Sequence, residues 1–314
     1  MMFIRVLEKF WLKNNKNGHI NKKNINIYYK TIKYYLKEWC FSLSCLKNMS
    51  IYYILILVLG SGGSFMKSSR VMKIFEQYVR KYDMNNINIK SKYFHSLKVM
   101  EISRDLASGL GIFDEEELAV VELISLFHEI GNFSKTPNFH IDGDGEDCYE
   151  KTIDILFNKK LIREISKDNK YDDIIKLAIY AYDKEGFPEG IDEKTKHICA
   201  IIKDAHNLDS FRLFVNYPYV DTRINSYPNN LVYEKFTGFK TISPKMSENS
   251  ADSALVVLSN MYSFNYRYSY YMLKQNNYID KMFDSLTFDN KEIEGFFKQL
   301  VVVLKNYVDK RIGA

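Results

Sequence analysis

Two kinds of side chain stand where the surrounding pattern points inward: the histidines His95 and His128, and the acids Glu129 and Asp204. An imidazole or a carboxylate on an apolar helix stripe costs several kcal/mol unless it is paired or bound to a metal. Taken singly, each has an ordinary explanation, a hydrogen-bonded core histidine or an acid that caps a helix or completes an ion pair. Taken together, two neutral imidazoles and two carboxylates form an oxygen and nitrogen ligand set for a divalent cation. The adjacent pair His128-Glu129 comes just before Gly131, where a helix runs out and neighbouring side chains can turn toward one ion.

The elements that must position these groups are helical. Residues 92–110 place His95, Val99, Ile102 and Leu106 at spacings of 4, 3 and 4, which predicts an amphipathic helix that stops near Gly109-Leu110-Gly111. Asp114 ahead of Glu115-Glu116-Glu117 reads as an N-cap with an acidic first turn, and Val121, Ile124 and His128 share a face until Gly131. A loop with Pro137, Gly143 and Gly145 leads to a helix over 147–165, and a further helix over 172–184 groups Ile175, Ala178, Ile179 and Tyr182. Asp192 caps a fifth helix whose stripe is His197, Ile201, Asp204 and Leu208. Residues 215–250 read as loop-rich, and more helices are expected near 251–262, 265–286 and 290–311. No strand alternation, repeat or Gly-rich phosphate loop is visible, so the expected class is all-α.

Composition narrows the function classes. The chain has 314 residues, enough for one large or two small domains, and its 46% hydrophobic and 26% charged content excludes collagen, low-complexity disorder and a small disulfide scaffold. The net charge of +5 is unevenly placed: residues 1–65 carry +8 and the remainder −3, so nothing in the main body's charge supports a DNA partner. Four cysteines without Cys-x-x-Cys spacing read as reduced thiols, which sets a cytoplasmic expectation. Both tryptophans and no aspartate fall before residue 65, and the apolar run Ile51–Leu59 is about half the roughly 20 residues a spanning helix needs, so no stable membrane insertion is expected. Gly60-Ser61-Gly62-Gly63-Ser64-Phe65 followed by Met66 looks like a translated ribosome-binding site. Residues 1–65 are therefore read as an upstream read-through extension with a native start at Met66, the alternative being a basic amphipathic extension that touches membranes.

Three local segments, Tyr93–Val99, Leu126–Gly131 and Ile201–Asp209, together resemble the HD superfamily of metal-dependent phosphohydrolases. Tyr93-Phe94-His95-Ser96-Leu97-Lys98-Val99 looks like the family's first histidine segment, Leu126-Phe127-His128-Glu129-Ile130-Gly131 like its "LLHDIG" segment, and Ile201-Ile202-Lys203-Asp204-Ala205-His206-Asn207-Leu208-Asp209 like its closing "IIRDADKLD". The resemblance spans nearly all of 66–314, read as one HD-type helical domain with a motif core over 92–214 and a C-terminal helical part over 215–314. It implies an HD-like helical bundle with one divalent ion (manganese, iron, cobalt, nickel, magnesium or zinc) held between helices by His95, His128, Glu129 and Asp204. Lys98 and Asp204 are the implied catalytic residues, with Arg104 as a further offset to phosphate charge. The implied substrate is a small phosphorylated molecule, a phosphomonoester or phosphoanhydride of nucleotide type; the oligomeric state is left open.

Departures from the pattern define a rival expectation. Glu129 keeps the family's negative charge with one methylene more, and Asn132 replaces a basic residue that often follows the glycine. Cys148 and Tyr182 align with the two histidines of members that hold a second ion, and thiol and phenol are poor ligands for a hard ion, so one ion is expected. The alternative is an impaired HD-type bundle that binds a ligand or partner without turnover. The segment 142–147 lacks the Gly and terminal Glu of a calcium loop and reads as solvated. His206 stands where the family often has Asp and is read as a surface or supporting residue; His140 is placed at the rim, His197 in core or rim, and the aromatic run 262–271 in packing of the C-terminal helices.

Overall fold

The structure, a computed structural model, describes residues 68–134, 145–216 and 221–313. The segments 1–65 and 141–144, with His140, Cys40 and Cys45, lie outside the described residues. Among the described residues the chain forms twelve α-helices: α1 Ser68–Val79, α2 Ile87–Leu110, α3 Glu115–Phe127, α4 Gly145–Ile153, α5 Leu161–Ile165, α6 Asp172–Ala181, α7 Glu193–Asn216, α8 Asn230–Thr237, α9 Ser250–Ser259, α10 Arg267–Gln275, α11 Tyr278–Ser285 and α12 Lys291–Gly313. The expected all-α bundle is present. No described helix is long and apolar enough to cross a membrane.

Helix boundaries follow local chemistry. Asn86 caps α2 by accepting from the backbone N–H groups of Asn88 and Ile89, and Gly111 ends it at φ 65, a left-handed conformation that glycine adopts without a Cβ penalty. Asp114 and Glu117 form a reciprocal capping box at the start of α3. Thr195 N–H donates to Asp192 at 3.0 Å where α7 begins, as its sequence anticipates.

Some boundaries differ from the sequence reading. The helix expected over 147–165 divides into α4, a π-helical turn Asp154–Asn158 and α5, because Lys160 turns left-handed at φ 60. The helix expected over 265–286 divides into α10 and α11 at Asn277, φ 52. The stretch expected to be loop-rich contains α8, and two-residue strands β1 Arg223–Ile224 and β2 Thr287–Phe288 pair in parallel. Neither strand is long enough to leave an alternating pattern.

The core is organised around α7, which packs against α2, α3, α6, α9, α10 and α11. It is buried on nearly every side from Ile198 to Phe214. Helices α2 and α3 form the most extensive pairing, and Arg104 of α2 is ion-paired with the buried Glu122 of α3. Phe75 of α1 stacks on Tyr93 with ring centroids 5.9 Å apart and meets Phe127 edge-on at 5.4 Å, clamping the ends of α2 and α3 that carry the inward histidines. In the C-terminal part, Tyr262 and Tyr270 of the aromatic run pack on Tyr307 of α12, whereas Tyr268 and Tyr271 are exposed.

Candidate metal centre

Four side chains from three places in the chain converge: His95 from α2, His128 and Glu129 from the turn that follows α3, and His206 from α7. One ligand atom from each lies within 4.8 Å of every other. His206 Nε2 stands 3.2 Å from Glu129 Oε1, and His95 Nε2 and His128 Nε2 each stand 4.0 Å from a Glu129 oxygen. The side chains of His95, His128 and Glu129 are buried, while that of His206 is 18% exposed and marks the open side.

Each imidazole has its far nitrogen assigned by a neighbour. His128 Nδ1 donates to the Ser125 carbonyl at 2.7 Å, which leaves its Nε2 as a lone pair; that buried atom has no hydrogen-bond partner. Burial, helped by the neighbouring imidazoles and opposed by Glu129, takes the His128 pKa down to about 3, so the ring is neutral and able to ligate. His95 Nδ1 lies 2.7 Å from Asp209, and Asp209 is also gripped by Arg212, whose NH2 is 2.8 Å away. Burial alone would raise the Asp209 pKa, but Arg212 and His95 together hold it below the usual carboxylate range. His206 is opposed by burial too, yet the hydrogen bond and charge of Glu129 override it and raise its pKa.

The turn carrying His128 and Glu129 is fixed from both sides. Lys92 Nζ donates to the Asn132 carbonyl at 2.6 Å, and Gly131 N–H donates to Thr152 Oγ1 at 3.1 Å. A Cβ on Gly131 would lie 2.8 Å from Lys151 Cβ, 2.9 Å from the Cys148 carbonyl oxygen and 2.9 Å from Thr152 N, so glycine is what lets α4 pass this close. Tyr182, at the end of α6, donates its hydroxyl to Glu129 Oε1 at 3.3 Å, and its ring sits edge-on to His128 at 5.0 Å and to His206 at 4.8 Å. Cys148 is buried beside Thr152 and stands outside the cluster.

Asp204, expected among the ligands, is placed elsewhere. Its carboxylate accepts from Asn265 N–H, Asn265 Nδ2, Tyr266 N–H and Ser269 Oγ at 2.6–3.0 Å, which ties α7 to the start of α10. Burial raises its pKa to about 6 against the pull of those donors. Around a helix, positions 204 and 206 are about 200° apart, whereas 206 and 209 are about 60° apart. A single stripe through His197 and Ile201 therefore selects the face of Asp204, and the face turned to the cluster carries His206 and Asp209. The expected one-sided burial fails because α7 is surrounded. Lys98 lies one turn after His95 with its Nζ on Glu101 at 2.9 Å, and His197 pairs with the Tyr266 hydroxyl at 2.9 Å.

The residues fit a divalent ion. Two donors about 2.1 Å from an ion stand roughly 3.0 Å apart at a right angle and about 4.2 Å apart when opposite; the separations of 3.2 and 4.0 Å to Glu129 fall in that range, and the spread of up to 4.8 Å across the cluster is closed by a small inward movement of the side chains. The Asp209 carboxylate, by holding His95 Nδ1, aims Nε2 at the cluster in the way outer hydrogen-bond partners orient metal-binding histidines. Asp209→Asn is expected to weaken metal affinity by about 10–100-fold with little loss of helicity. Equilibrium dialysis checks the first, and the ring nitrogen shifts of His95 in ¹⁵N-labelled protein report the accompanying change of tautomer. Unchanged affinity would remove Asp209 from the support of the site.

Residues 93–210 match the family model for the HD domain, whereas no curated protein and no solved structure matches the chain. The matched segment contains His95, His128, Glu129, His206 and Asp209, the residues that the fold gathers into one buried cluster. Residues 93–210 of this chain are therefore identified as an HD domain.

Proposed function

We propose that this chain is a divalent-metal-dependent phosphohydrolase that cleaves a phosphomonoester or phosphoanhydride, with a nucleotide or related small molecule as substrate. The observation that supports it is the cluster inside the HD segment, where three imidazoles meet one carboxylate and His128 Nε2 is buried with no hydrogen-bond partner. A bound ion there would supply a Lewis acid for a phosphate oxygen and a water acidic enough to exist as hydroxide near neutral pH. The chain's own groups do the rest. Glu129 is steadied by Tyr182, and the partly exposed His206 marks the side from which a substrate arrives. Lys98 is half-exposed in its pair with Glu101, and an exposed pair of this kind contributes only about 0–1 kcal/mol, so its ammonium can be exchanged onto a phosphate at small cost.

A second reading, an HD-type bundle that binds without turnover, is favoured by the engagement of other cations nearby. Arg104 is held by Glu122, Lys92 by the Asn132 carbonyl and Lys203 by the Lys184 carbonyl. The full chain, assayed for phosphate release against a nucleotide panel with added manganese, cobalt, nickel, zinc or magnesium, is expected to show metal-dependent release that His128→Ala abolishes. Metal that raises Tm without release from any substrate favours the second reading. Neither binding nor release would discard both.

A further inference from the structure

We infer that the cluster is built for a late first-row divalent ion (iron, cobalt, nickel or zinc) and against magnesium and calcium, because a third imidazole, His206, stands where a second carboxylate was expected. This rests on the reading of the cluster as a metal site and adds which ions it prefers. The ligand atoms brought together are three imidazole nitrogens and one carboxylate oxygen. Magnesium and calcium draw on oxygen ligands and on several carboxylates or waters, whereas imidazole suits iron, nickel, copper and zinc.

The remaining acids of α7 do not make up the difference. Asp209 is committed to His95 and Arg212, and Asp204 to the four donors of residues 265–269. Glu129 is therefore the single acid in the group, and it is itself shared with Tyr182 and His206. A dication held by one carboxylate keeps a net charge of +1, where two would neutralise it. That residual charge suits an anionic ligand such as a phosphate and penalises hard ions, which depend most on carboxylate charge for their retention.

Most nitrogen and oxygen sites rank first-row ions in the same order, so the informative quantity is a ratio of affinities. The full chain, stripped with chelator, is titrated calorimetrically with nickel, cobalt, manganese and magnesium separately, and so is His206→Asp. The nickel-to-manganese affinity ratio is expected to fall by about tenfold or more in His206→Asp, with magnesium binding gained. Cobalt bound to the unsubstituted chain should show visible absorption bands that change in the variant. An unchanged ratio, or magnesium binding the unsubstituted chain as tightly as nickel, overturns the inference while leaving the metal site in place. Absence of binding by every ion, with Tm unmoved, overturns the metal site itself. Should His206→Asp fail to fold, His206→Gln tests the loss of the imidazole nitrogen alone: the nickel-to-manganese ratio should still fall, without the gain of magnesium binding that needs a second carboxylate.

Discussion

Asp204→Ala is expected to be among the most destabilising single changes in this protein and to leave the metal content of the folded molecules unchanged. The carboxylate is fully buried and accepts from two backbone N–H groups, one amide and one hydroxyl in the segment 265–269. Removing it strands those donors and detaches the start of α10 from α7, a loss of about 3–5 kcal/mol for breaking a buried charged network. For a domain of this size that lowers Tm by roughly 10 °C. Asp204→Asn, which keeps an acceptor oxygen, should fall between the two. Thermal unfolding gives the first quantity and metal analysis of the soluble protein the second. Loss of metal in Asp204→Asn with Tm preserved would return Asp204 to the site and displace His206 from it.

Gly131→Ala is expected to damage stability and metal binding together. Two of the three atoms that a new Cβ would meet within 2.9 Å are backbone atoms of α4, so no side-chain rotation relieves the clash and the helix itself must move. Overpacking of this kind costs about 1–3 kcal/mol, occasionally more. The shift would drag the turn carrying His128 and Glu129, because Gly131 N–H is bonded to Thr152 on the same helix. Metal affinity is expected to fall about 10–100-fold, the loss seen when groups that orient ligands are disturbed. Gly186→Ala is the internal control: nothing lies within 4 Å of its would-be Cβ, so it should be silent in both measurements. Equal behaviour of the two variants would show that α4 does not hold the turn.

The helices that position the cluster were legible because their ends are written in short-range chemistry. Asp114 with Glu117, Asp192 and the Gly109-Leu110-Gly111 stop each appear in sequence and act in the structure. Periodicity located His95 and His128 on inward faces for the same reason: α2 and α3 are long enough to show a stripe. It failed on α7, whose burial on all sides erases the distinction between an inward and an outward face. His206 and Asp209 lay in a segment already singled out, but spacing alone cannot say which of two opposite faces meets α2. The role of Tyr182 was hidden differently, since its alignment with a second-ion histidine marks it only as a poor ligand and says nothing of a hydroxyl donated to Glu129. The break at Lys160 had no signal, because lysine rarely turns left-handed, whereas Asn276-Asn277 offered a weak one, since asparagine tolerates that conformation.

Two helices end at the cluster: α3 stops with His128 as its C-cap, and α6 with Tyr182 as its C-cap. The carbonyl end of a helix carries roughly half a negative charge from its aligned peptide dipoles, an effect confined to the last turn and strongest where water is scarce. Both ends are buried here, so the polypeptide itself adds a negative potential to that of the one carboxylate in the cluster. That field draws a cation in and repels an anion that arrives first. If the cluster takes a divalent ion, an anionic ligand would meet an attractive site only after that positive charge is in place, and side-chain substitutions would leave this preference unchanged as long as α3 and α6 keep their lengths.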